Sequence, residues 1–134
     1  MPLDAEREYE RWMKQAGQDL DDARYNTQGE RHNLACFLSQ QAAEKSLKAF
    51  LYLNGEQLVW GHSAAELIVN ASKIKADFLG LREKAAFLDR FYIPTRYPNG
   101  LPGGIPFESF TGSDSTAATD AAQEIIDFVA RQAQ

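Results

Sequence analysis

One arginine stands out by its position. Arg96 is the only cation between Arg90 and Arg131, a stretch that carries Glu108, Asp114, Asp120, Glu124 and Asp127. It sits in Thr95-Arg96-Tyr97-Pro98 with Pro94 before it, so two fixed φ angles stiffen its loop. A guanidinium on a stiff loop is suited to hold a phosphate or carboxylate through two parallel N–H donors. The competing reading is that Arg96 pairs with one of those acids, or with Asp89, and pins the loop. On the residues alone that structural reading leads.

Other candidates are weaker. Lys45 and Lys48 lie one helical turn apart with Glu44 adjacent, and as a pair they could face an anion. Lysines in such a position are more often solvated, and Lys48 is read that way. His62 precedes Ser63, the N-cap of an expected helix, where it could cap, titrate or touch an anion. His32, beside Arg31, suggests no special role. Cys36 on an apolar helix reads as a small buried hydrophobe. Trp12, Trp60, Tyr92, Tyr97, Phe107 and Phe110 read as core or loop packing, and as an oligomer interface if they gather outside the bundle. Trp12 is assigned to the core and Trp60 is left open. No Gly-rich phosphate loop, Cys pair or His-Glu-x-x-His occurs. Metal or Cys–His catalysis is therefore a poor fit, and no cofactor or metal site is expected.

These groups must be held by one modest domain, expected to span residues 1–134. With 44% hydrophobic and 25% charged residues the composition excludes a disordered chain, and no apolar run is long enough for a membrane span. Fourteen basic against nineteen acidic residues leave a net charge of −5, which argues against a generic polyanion binder. The lone cysteine and the absence of a basic-then-apolar leader point to a reducing, cytoplasmic setting.

The elements are read from apolar periodicity. Tyr9, Trp12, Met13, Ala16, Leu20 and Ala23 define a first helix, broken at Asn26-Thr27-Gln28-Gly29. A second runs from about Glu30 to Tyr52, on a stripe of Leu34, Phe37, Leu38, Ala42, Leu47, Phe50 and Leu51, and stops at Asn54-Gly55. Ser63 starts a third, with Glu66 at capping-box spacing, whose apolar face continues through Ile74 to Phe78. Gly80 divides it from a fourth helix ending at Pro94. From Ile93 to Gly112 four prolines interleaved with Gly100, Gly103 and Gly104 exclude a helix, yet the segment is too apolar for a free linker. An ordered loop lying on the helices is expected. A last helix starts near Thr111 or Ser113, with Ala118, Ala121, Ala122, Ile125, Phe128 and Val129 inward. The expected fold is all-α, an up-and-down bundle of about five helices with a long Pro/Gly-rich loop before the last.

The order of these motifs resembles that of HEPN domain proteins. The matching pieces are Trp12-Met13-Lys14-Gln15-Ala16 with Asp19-Leu20, Gln41-Ala42-Ala43-Glu44-Lys45-Ser46-Leu47-Lys48-Ala49, and His62. They continue through Leu88-Asp89, Tyr92-Ile93-Pro94-Thr95-Arg96-Tyr97-Pro98 and the alanine-rich last helix. The resemblance implies a helical bundle, usually dimeric, associated with nucleotide binding, with a minimal nucleotidyltransferase partner, and in many branches with metal-independent RNA cleavage by toxins of toxin–antitoxin pairs. The family's arginine falls on Arg96, which the resemblance makes ligand-facing or interfacial. In the RNase branches a histidine follows in Arg-x(4–6)-His. Here Leu101, Pro102 and Gly103 occupy those positions, and no histidine follows Arg96 at all. That absence removes the general acid/base of the RNases and puts a binding or accessory role first. On this reading Arg96 contacts a phosphate, Lys45 and His62 assist, and Tyr97 packs or stacks on a base. A divergent RNase would use Arg96 with Tyr92, Tyr97 or a histidine brought in by folding.

Overall fold

A computed structural model describes residues 3–134, and all its regular elements are helices. They are α1 (Ala5–Gln28), α2 (His32–Leu53), α3 (Ala64–Ser72), α4 (Arg82–Asp89), α5 (Pro106–Ser109) and α6 (Gly112–Gln132). The helix α2 is the hub. Fourteen of its 22 residues are buried, because α1 and α6 flank it while α3 and α4 close the remaining side. The fully buried Ala35, Ala42, Ala43 and Ala49 let those neighbours approach closely. Leu47, Leu67, Ile68, Phe78, Leu88, Ile125 and Val129 fill the core between them. Trp12 lies half-buried at the rim of this core, tilted against Tyr52 with ring centroids 5.5 Å apart, rather than inside it as expected.

The expected break falls at Gly29, the last residue of the Asn26-Thr27-Gln28-Gly29 stretch. Asn26 and Thr27 satisfy their own side chains on the carbonyls of Asp22 and Ala23 one turn back, at 2.8 and 3.0 Å, so α1 runs on to Gln28. Reversal into α2 falls on Glu30, which adopts a positive φ of 59°. Downstream the stop at Asn54-Gly55 holds, with Gly55 in the left-handed region at φ 99°.

Helix α3 starts at Ser63, whose Oγ accepts from the Glu66 backbone N–H at 3.1 Å. It ends at Ser72 rather than continuing to Phe78. A 3-10 turn over Ala76–Leu81 follows, leaving Ile74 exposed and turning Phe78 inward against Phe50 and Phe128. Helix α4 likewise ends at Asp89, short of Pro94. A proline disfavours helical backbone at the residue before it, and Thr95 Oγ1 secures the resulting turn by donating to the Phe91 carbonyl.

The Pro/Gly-rich segment lies on the bundle. It contains one 3-10 turn, Pro98–Gly100, and the single-turn helix α5, whose Pro106 sits at the first helical position where its missing N–H costs nothing. The expectation that no helix forms there is corrected to that extent, and the helix count is six. Gly100 packs so closely on the preceding turn that a Cβ there would lie 3.0 Å from Pro94 Cα. Helix α6 begins with a complete capping box: Asp114 N–H donates to Thr111 Oγ1 at 3.2 Å and Thr111 N–H to Asp114 Oδ2 at 2.9 Å. Among the described residues no helix is long and apolar enough to cross a membrane.

Candidate functional site

Arg96 pairs with none of the acids proposed for it. Its Nε donates to the Tyr92 carbonyl at 2.8 Å, a bond back across one tight turn that fixes the side chain's direction. Its guanidinium carbon then lies 4.4 Å from the Phe37 ring centroid, 4.7 Å from that of Tyr92 and 5.2 Å from that of Tyr97. Contact with three ring faces stabilises the cation by about 0.5–2 kcal/mol for each well-placed ring. Among the described residues no carboxylate lies in ion-pair range of Arg96, and neither terminal nitrogen is engaged in a hydrogen bond. The fork that would grip an anion is therefore free, and Arg96 itself is only partly buried.

The turn that carries Arg96 is anchored from α2. Thr95 is fully buried and its carbonyl accepts from Asn33 Nδ2 at 3.1 Å. Phe37, one turn further along α2, supplies the ring closest to the guanidinium. Periodicity assigned Phe37 to the core stripe. In the fold it stands half-exposed at the edge of that stripe, beside Tyr92 at 6.2 Å.

His62 joins from the loop before α3. Its ring stacks on Tyr92 with centroids 5.2 Å apart and planes 17° from parallel, so one tyrosine ring touches both Arg96 and His62. The imidazole is 62% exposed on its outer side, while Nδ1 lies 3.5 Å from Oε2 of the buried Glu44. Its backbone is held as well, since Gln40 Nε2 donates to the His62 carbonyl at 2.7 Å. Arg96, Tyr97, Tyr92, His62 and Phe37 thus form one exposed aromatic–cationic surface with Glu44 behind it.

The other candidates are placed differently. Lys48 is not solvated: it is 6% exposed, its Nζ lies 3.2 Å from Glu44 Oε2, and it sits 5.8 Å from the Trp12 ring centroid. A lysine keeps its charge at such a depth only beside a carboxylate, and Glu44 is that partner. Lys45 makes a 2.6 Å bond to Asp19 Oδ2 between α2 and α1. Asp89 is occupied by structure. Its carboxylate accepts from the Ala64 and Ala65 backbone N–H groups at 2.7 and 3.0 Å, from Ser63 Oγ at 2.8 Å and from Gln40 Nε2 at 3.1 Å. Cys36 is fully buried, and desolvation with the nearby Asp114 charge pushes its thiol up to about 12, so it carries no thiolate at neutral pH.

The sequence did carry a trace of this network. Gln40, Glu44 and Lys48 recur every four residues on a helix otherwise packed with apolar side chains, and polar groups at buried positions demand partners.

Known proteins share this fold. The HEPN domain family model matches residues 9–132. The crystal structure of TT1696 from Thermus thermophilus superposes with a TM-score of 0.83 at 36% identity, covering 92% of this chain and 96% of that one. An archaeal HEPN homologue superposes at 0.78 with 40% identity over 94% and 98% of the two chains. A HEPN domain protein from Thermotoga maritima gives 0.71 and 28% over 91% and 96%. No curated protein sequence matches significantly. With the family model covering nearly the whole chain and two solved structures above 30% identity, the chain belongs to the HEPN domain family.

Proposed function

We infer that this protein is a dimeric binding module that holds a nucleotide-like anion and works as an accessory to a partner nucleotidyltransferase. The observation that carries this reading is the free guanidinium fork of Arg96, fixed on an aromatic platform and unpaired among the described residues. An arginine held in place but not neutralised is arranged for a ligand that is not part of the fold. Tyr97, 51% exposed, provides a ring face on which a base stacks, and the His62 ring borders the site beside Tyr92. Lys45 and Lys48 contribute through Asp19 and Glu44, by holding α1 and the buried carboxylate behind the surface. Self-association is supported by the loop that carries Arg96, where Ile93, Tyr97, Ile105 and Phe107 are each at least 44% exposed.

The test is a titration of purified protein with ATP. Arg96→Ala weakens binding at least about tenfold, and Tyr97→Ala about threefold, with helical content and unfolding midpoint unchanged. Equal affinity in Arg96→Ala sinks the assignment. Gel filtration with Ile105→Glu and Phe107→Glu tests the dimer, which these variants convert to monomer.

A second reading is metal-independent RNA cleavage, and one observation favours it. The missing motif histidine has a spatial counterpart in His62, oriented by Glu44 and sharing the Tyr92 ring with Arg96. His62 would take the proton of a ribose 2′-hydroxyl as that oxygen attacks phosphorus, Arg96 would stabilise the charge on the phosphoryl oxygens, and the 5′-oxygen would leave with a proton from solvent. RNA cuts that persist in EDTA and vanish in both His62→Gln and Arg96→Ala support it. Intact RNA with wild-type protein excludes it.

A further inference from the structure

A second concavity lies away from Arg96. It is a groove of about 660 Å³ along the seam of α1 and α2, within the usual range for small-ligand sites. Its aromatic part is the Trp12–Tyr52 pair, with Tyr52 buried and the indole half-uncovered. Its charged part is uneven. Arg11, Lys14 and Lys45 line it against a single lining carboxylate, Glu8, in a chain whose net charge is −5.

The three cations are not equally committed. Lys45 is neutralised by the buried Asp19 at 2.6 Å. Arg11 contacts the largely covered Glu8 at 2.7 Å one turn away on α1, but through one terminal nitrogen only, and its own side chain is 68% exposed, so its outer face stays open to a second anion. Lys14 makes no ion pair among the described residues. A partly uncovered indole beside one uncommitted and one weakly committed cation matches a specific chemistry, in which a flat ring is covered by the aromatic pair while its charge is met at the rim.

We propose that the α1–α2 groove binds a planar aromatic carboxylate, with the ring on Trp12 and the carboxylate at Arg11 and Lys14. This site is separate from the Arg96 surface and does not depend on its function. Size favours a fused two-ring acid over a benzoate.

The probe is 2-naphthoate, with the isosteric neutral 2-naphthamide as control. The chain has two tryptophans, so the side-chain N–H signals of Trp12 and Trp60 are assigned in nitrogen-15 spectra with Trp60→Phe, a change at a residue 78% exposed. A saturable shift of the Trp12 signal with naphthoate, at least about tenfold weaker with naphthamide, is the expected result. Arg11→Gln with Lys14→Gln lowers naphthoate affinity at least about tenfold, and both positions are exposed, so the fold is retained. Absence of a saturable Trp12 shift, or equal affinity for the two probes, overturns the proposal. So does loss of binding in Arg96→Ala with none in the α1 variants, which would place the anion on the loop.

Discussion

Arg96 and Cys36 are treated in opposite ways by the same packing. Arg96 keeps its charge within reach of solvent because rings and one carbonyl position it while its terminal nitrogens stay open. Cys36 is sealed beneath α6, with Asp114 close enough to oppose a second negative charge, and its thiol is pushed up from 9.0 to about 12. The folded state therefore holds that proton more tightly than the unfolded chain does. Its contribution to stability is complete below about pH 9 and is lost as pH rises toward about 12. Urea unfolding across pH 8 to 11 should show stability falling more steeply in the wild type than in Cys36→Ala. Equal slopes would show that the thiol does not titrate on unfolding in this range. Iodoacetamide should label Cys36 only after unfolding, because the reactive thiolate is absent from the native state.

At the scale of elements, the start of α3 depends on the end of α4. The first turn of any helix has N–H groups with no partner inside it, and here Asp89 accepts two of them while Ser63 accepts a third. The same carboxylate also receives Gln40 from α2, so one side chain ties three helices at the point where the His62 loop enters α3. Asp89→Ala leaves those donors short of partners and should lower the unfolding free energy by about 2–3 kcal/mol in urea titrations. It should also weaken ATP binding, through release of His62, and Asp89→Asn should restore part of both. A variant as stable as the wild type would show that solvent replaces the carboxylate without cost. The Ser63 cap was legible from its spacing to Glu66, but the Asp89 links were not, since in sequence Asp89 stood only as a neighbour for Arg96 and as part of the Leu88-Asp89 motif. Helices α1, α2 and α6 were legible because each spans several turns, long enough for apolar period and caps to agree. The α3–α4 region was not, since Phe78 reaches the core through a 3-10 turn whose period differs from the α-helical one read through Ile74. A one-turn helix such as α5 shows no period at all. The site was half legible for a related reason. Arg96 is conspicuous because its surroundings in sequence are acidic, whereas Phe37 and Glu44 lie inside a helical pattern that predicts burial without saying which side chains reach the edge.

For the whole molecule, the charge distribution sets how an anion is met. A net charge of −5 repels polyanions at long range, and among the described residues four of the fourteen basic side chains are matched locally, Lys45 by Asp19, Lys48 by Glu44, Arg11 by Glu8 and Lys84 by Glu124. Arg96 is fixed by rings rather than by an acid, so binding there releases few counterions. Each phosphate neutralised on a single strand contributes about −0.7 to the slope of log affinity against log salt, so contact through Arg96, assisted by His62, should give a slope near −1. Titration of a short oligoribonucleotide across a series of salt concentrations measures this directly. Arg96→Ala should bring the slope close to zero, since the charge it removes is the one that meets the phosphate. A slope of about −4 or steeper would require several phosphates to be neutralised together. The surface described around Arg96 brings together Arg96 and His62, so such a result would require further cations, from elsewhere on this chain, from a second copy or from another protein.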